Sequence, residues 1–148
     1  MCIRDRSRIA SKIVCSLFTV VTLATAGMIT AGANNHTDTV YDFTFSPSGH
    51  IGFIQTTEKR PKQDASSAYM KCNTAPYSYI ARVYGYNWYG ENMTDCSRGT
   101  LYEFRAGTTH YMKNWVYEDG FTYAAIQART SNESSTHSAS GVWSPDSI

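Results

Sequence analysis

Apolar and polar residues alternate through most of this chain with the period of a strand. In Val40-Tyr41-Asp42-Phe43-Thr44-Phe45 the aromatic residues 41, 43 and 45 fall on one face. Ser66 to Cys72 repeats the pattern and turns Ala68, Met70 and Cys72 inward. Tyr77 to Tyr86, Thr100 to Phe104, Phe121 to Arg129 and His137 to Ser144 read as further strands, and Ile51 to Thr56 as a short one pairing back on the first. Gly85 marks a bulge in its strand.

Turn chemistry punctuates these runs. Ser46-Pro47-Ser48-Gly49, Asn73 to Pro76 and Ala106-Gly107 end strands, and Thr130 to Thr136 reads as a hairpin-like polar loop. Glu58 to Asp64 reads as a solvated charged loop, although Lys59, Arg60 and Lys62 also suit an anion. Residues 110–118 fit two patterns. A helix puts Tyr111, Met112, Trp115 and Val116 on one face; a strand puts Tyr111, Trp115 and Tyr117 together. The β neighbours favour the strand. About seven short strands and no long amphipathic helix predict an all-β domain, a small antiparallel β-sandwich or partly open barrel.

The first residues break this pattern. Residues 1–7 (MCIRDRS) resemble a translated sequencing scar and carry no fold information. Residues 8–33 have the order of a secretory signal: Arg8 and Lys12, then an uncharged apolar run from Ile13 to Ala26, then small residues at Ala31-Gly32-Ala33. Cleavage after Ala33 is expected, with Ala26 the alternative. An uncleaved anchor fits less well, because Thr, Ser and Gly dilute the run and no basic flank follows. The expected products are a disordered lead at 34–39 and a single domain at 40–148, secreted or held at the cell surface.

Charge and cysteine content narrow the function classes. From Asn34 onward nine basic side chains face eleven acidic ones, so there is no footprint for nucleic acid. The membrane enters only through the signal segment. Cys72 and Cys96 are the two cysteines after the leader, and in an exported domain they are expected to form a disulfide. In the chain-entropy model a loop of about 25 residues would give roughly 3 kcal/mol.

Catalytic motifs are weak. His36, His50, His110 and His137 lack the spacing of metal ligands, so no metal or cofactor is expected. His110 with Glu118 or Asp119 is the one acid–base pairing worth naming, and Glu103 with Glu118 the one pair of carboxylates. Ser97 lacks the glycine setting of a hydrolase nucleophile. All eleven Tyr lie after the leader, and the densest aromatic cluster supplies the candidate binding residues Tyr84, Tyr86, Trp88 and Tyr89. Asp146, next to Pro145, suits a structural lock at the end of the last strand. Asn35, Asn92 and Asn132 lie in glycosylation triplets, which matter only in a eukaryotic secretory path.

The stretches Ser66-Ser67-Ala68-Tyr69-Met70-Lys71-Cys72, Asp95-Cys96-Ser97 and Gly141-Val142-Trp143-Ser144-Pro145-Asp146-Ser147 resemble a group of small exported Gram-positive proteins of unknown function, the DUF2712-like set. In size, export and β content that set is distantly similar to the lactococcin-972 type of bacteriocin. The resemblance implies export and a β-sandwich, not an activity, and the cysteine pair departs from the bacteriocin pattern. The expected function is binding, without catalysis, at a cell envelope, to a wall glycan or envelope protein and in a bacteriocin-like role. The alternatives are a small envelope-directed hydrolase and a purely structural surface protein.

Overall fold

A computed structural model describes residues 35–47, 53–87 and 93–148. The expectations for residues 1–34, and for His50, Trp88, Tyr89 and Asn92, lie outside the described residues. Among the described residues the structure is all-β, with ten strands in two antiparallel sheets and no closed barrel, as in a β-sandwich.

The front sheet has the order β1 (Thr39–Phe45), β10 (His137–Ser144), β4 (Ala68–Thr74), β8 (Thr109–Met112). The back sheet runs β2 (Ile54–Thr56), β9 (Tyr123–Thr130), β5 (Tyr79–Tyr86), β6 (Thr94–Asp95). β3 (Arg60–Pro61) also pairs with β9, and β7 (Tyr102–Phe104) with β5. The count exceeds seven because four strands are only two or three residues long.

Alternation puts the expected residues inside. Tyr41, Phe43 and Phe45 of β1 and Ala68, Met70 and Cys72 of β4 are buried against Tyr79, Ala81 and Val83 of β5 and Ile126 of β9. Tyr79 stacks on Phe104 at 5.4 Å and meets Phe43 edge-on. Between these rings the Tyr41 and Tyr79 hydroxyls share a buried hydrogen bond of 2.7 Å. Burial is the main cause that raises both phenols above the ordinary tyrosine value of 10.0. Gly141 makes room for Tyr41. A Cβ there would stand 1.9 Å from the Lys71 carbonyl oxygen and 2.7 Å from the Tyr41 hydroxyl. The register beside it shifts, with Ser140 opposite Thr74 and Gly141 opposite Cys72, so Asn73 bulges out.

Several local expectations are corrected. β2 pairs with β9 in the other sheet, not with β1, because Ile54 to Thr56 run against Gln127 to Arg129. The 131–136 loop is no hairpin, since it carries the chain from β9 in the back sheet to β10 in the front one. Gly85 stays in register with Thr94 and Ala124. It is glycine because a Cβ there would lie 2.6 Å from Phe121 and 2.9 Å from the Cys96 sulfur. Residues 110–118 are a strand only as far as Met112; turns follow through Gly120. The strand's inward face is His110 and Met112, so Tyr111 points outward.

Cys72 and Cys96 are not joined; both are free, buried thiols. Cys72 lies on β4 opposite Gly141, where it interacts with Tyr41 and Tyr79, and its thiol reaches the Thr74 carbonyl at 3.5 Å. Cys96 belongs to the other sheet. Its amide bonds to the Val83 carbonyl, its sulfur packs beneath Gly85, and its thiol reaches the Thr94 carbonyl at 3.4 Å. The two therefore occupy different stretches of the interior. Burial pushes the Cys96 thiol from 9.0 up to about 11.

Candidate functional site

Side chains that alternate outward on the front sheet build a cleft of about 380 Å³. Ser144, Tyr69 and Tyr111 form one cross-strand row on β10, β4 and β8. The two tyrosine rings stand 5.5 Å apart at 55° and form an L-shaped wall. Tyr111 is 63 % exposed, so most of its ring is open to a ligand. His36 and Asp38, from the segment ahead of β1, and Asp146 to Ile148, after β10, line the rest. An aromatic wall beside a carboxylate and an imidazole can stack on an apolar face and exchange hydrogen bonds along its edge. The Ser144 hydroxyl is buried and donates to the Asp146 carbonyl at 2.8 Å.

The cleft keeps its shape through a network beneath it. Lys62 and Asp146 are paired at 2.6 Å with both side chains fully buried. Asp146 also accepts the backbone amides of Asn35 at 2.8 Å and Gln63 at 3.1 Å. The Arg60 guanidinium donates to Asn35 Oδ1 at 2.6 Å and to the Trp143 carbonyl at 3.2 Å. Burial lowers the Arg60 value, while nearby Asp146 and Asp38 act to raise it. Two expectations change here. The 58–64 segment is no solvated loop, because Arg60 and Pro61 pair with β9 and Lys62 is buried. The lead is no free tail, because Asn35 is held through its amide, Oδ1 and Nδ2. Asp146 is the lock that Pro145-Asp146 suggested, but its partners come from the other end of the chain.

Of the aromatic cluster, the structure describes Tyr84 and Tyr86. Both alternate outward on β5, on the back sheet and away from the cleft. Tyr84 is half-buried, between Asp95 and Ala125 in its cross-strand row. Tyr86 is covered. The Lys59 ammonium lies 4.2 Å over its ring, and its hydroxyl reaches the Met93 sulfur at 3.4 Å. Burial raises its phenol.

The catalytic suggestions do not converge. The half-buried His110 ring is edge-on to Phe104, with Nε2 on the Glu103 carbonyl at 2.9 Å. Asp119 pairs with Arg98 at 3.0 Å, and the Glu103 carboxylate with Arg105 at 3.0 Å. The Ser97 hydroxyl is buried against β5, where it accepts the Val83 amide at 2.7 Å. His137 is buried between Thr130 Oγ1 at 2.7 Å and the Ser135 carbonyl at 2.9 Å. The Asn132 side chain closes a turn on Ser134 and Ser135. Among the described residues, no three His, Cys, Asp or Glu side chains gather as a metal site needs.

Sequence reasoning overlooked Tyr69 and Tyr111. A signal for Tyr69 was present, since a strand with Ala68, Met70 and Cys72 inside must turn Tyr69 outward. The signal for Tyr111 was lost in the ambiguity of 110–118. Nothing local to either residue shows that they are neighbours.

No curated protein and no solved structure matches the chain significantly. A family model described as a protein of unknown function matches residues 29–147, which takes in every described strand. With most of its length matched in that way, the chain belongs to the DUF2712 family.

Proposed function

We propose that this protein is an exported binding module, without catalytic activity, that engages glycan at a Gram-positive cell envelope through the Tyr69–Tyr111 cleft. The observation that carries the reading is the open tyrosine wall beside Asp38 and His36. A sugar ring presents an apolar C–H face and a polar rim, and this wall offers a counterpart to each. The signal-like segment at 8–33 supplies the route to the envelope. The ion-paired floor supports the reading too, since a binding site works best on a rigid base.

The test is sedimentation of the purified protein with isolated Gram-positive walls, beside Tyr111→Ala and Tyr84→Ala variants. Saturable binding is expected, weakened about tenfold in Tyr111→Ala and unchanged in Tyr84→Ala. Loss in Tyr84→Ala alone would move the site to the back sheet. Absence of binding by the unaltered protein would overturn the proposal. Growth inhibition of the same strains would put the binding to use in bacterial competition, the bacteriocin-like role.

A further inference from the structure

The pair beneath the cleft is unusual for its burial. Neither Lys62 nor Asp146 has any side-chain exposure, and their N···O separation is 2.6 Å. Two desolvated charges are costly even when they meet in good geometry. The Lys62 nitrogen is thus held in hydrogen-bond contact with the carboxyl group that it would attack.

The surroundings suit a product as well as they suit an ion pair. Asp146 Oδ1 faces the amine, whereas Oδ2 accepts the Asn35 and Gln63 amides. Those two donors form a ready oxyanion cradle for a tetrahedral intermediate. The Lys62 nitrogen also donates to the Ser66 carbonyl at 2.5 Å. A third charged group stands by: Asp64 Oδ1 is 3.7 Å from the same nitrogen, with its side chain 36 % exposed. The Ser66 amide holds that oxygen in place at 2.8 Å.

We propose that Lys62 and Asp146 condense into an intramolecular isopeptide bond. Asp64 takes one proton from the ammonium, freeing the nitrogen lone pair, and passes it to Asp146 Oδ1, so that a neutral amine meets a neutral acid. The Nζ–Cγ bond forms, and the electron pair of the carbonyl collects on Oδ2 in the cradle. The nitrogen gives a second proton to Oδ1, the Cγ–Oδ1 bond breaks to release water, and the pair on Oδ2 restores the carbonyl. An ammonium and a carboxylate become an amide and one water, with no oxidant or reductant. The remaining N–H keeps the Ser66 carbonyl as its acceptor, and Oδ2 keeps both backbone donors. Two buried charges disappear and no hydrogen-bonding group loses its partner. The bond ties the segment after β10 to the residue that follows β3.

Intact mass and peptide mapping of the purified full chain test this directly. The unaltered protein should weigh one water less than its sequence, measured between its own sequenced termini. A branched peptide joining Lys62 to Asp146 should appear on digestion. Lys62→Arg and Asp146→Ala should have full mass. Asp64→Asn, which leaves the ion pair in place, should lower the linked fraction. Full mass with no branched peptide in the unaltered protein would overturn the proposal, and this reading needs no variant to fold. Loss of water that persists in Lys62→Arg would overturn it as well. A linked fraction in Asp64→Asn equal to that of the unaltered protein would remove Asp64 from the step.

Discussion

Two pairs of tyrosines sit on this sandwich, one inside and one outside. Tyr41 and Tyr79 face each other across the core and join hydroxyls at 2.7 Å. Tyr69 and Tyr111 are neighbours on one sheet, with rings 5.5 Å apart and Tyr111 open to solvent. The residue type is the same; strand parity decides the role. An inward tyrosine must bring its own partner for the hydroxyl, because an unpaired buried hydroxyl costs about 1–3 kcal/mol. An outward one has water for its hydroxyl and leaves its ring free for contact. The difference teaches that the inner pair concerns stability, while the outer pair is left open for the contact proposed above, and each can be altered without the other.

The sharpest break falls on the inner pair. Gly141→Ala would drive a Cβ into the Tyr41 hydroxyl and the Lys71 carbonyl. A loss of about 3 kcal/mol or more is expected, read as a lower midpoint in urea unfolding. A glycine elsewhere, Gly107, has open space around it but a φ of 85°. Its substitution by alanine strains only the turn and should cost about 1 kcal/mol.

Alkali attacks the same interior. In the unfolded chain Cys96 ionises near 9.0, but in the folded protein burial holds its proton to about 11. Its contribution is complete below pH 9 and is lost as pH climbs through 11, about 2–3 kcal/mol in all. Tyr41 and Tyr79, also raised from 10.0, extend the loss above pH 10. Unfolding monitored from pH 7 to 11 should show a plateau and then a steep fall. Cys96→Ala should flatten the part of that fall between pH 9 and 10. A fall of unchanged slope in that variant would clear the thiol.

Smaller effects separate the pairs. Tyr79→Phe leaves Tyr41 with the Lys71 carbonyl at 3.3 Å and the Cys72 thiol, and a cost of about 1–2 kcal/mol is expected. Tyr111→Phe removes a solvated hydroxyl and should stay within about 0.5 kcal/mol of the unaltered protein. Equal losses in the two variants, by chemical denaturation, would erase the distinction between inner and outer tyrosines.

What the sequence revealed depends on the range of the forces involved. β1, β4 and β10 were legible because alternation is local, and Tyr41, Phe43 and Phe45 carry it without interruption. Lys62 was misread because its partner lies 84 positions away at Asp146, and a lysine in a charged stretch gives no sign of burial. The cysteines were misread for the same reason. Two thiols in a chain expected to be exported suggest a bond, but only the assignment of strands to sheets separates them. The candidate site suffered most. Trp88 and Tyr89 are adjacent in the sequence and draw the eye, whereas Tyr69 and Tyr111 come together only through the register of β4 with β8.

The position of β10 has a consequence for the order of events as the chain emerges. β10 is the last of the ten strands to be made, yet it lies second in the front sheet, between β1 and β4. A chain appearing N-terminus first can assemble much of the back sheet early, because β5, β7 and β9 need nothing beyond Thr130. The front sheet has to wait. β1, made first, has no neighbour on which to pair until His137 to Ser144 arrive. Completion is therefore one late, long-range closure, which makes folding slow compared with a protein of local contacts. Until then β1 keeps its hydrogen-bonding edges unpaired, and the front layer of the sandwich stays unclosed.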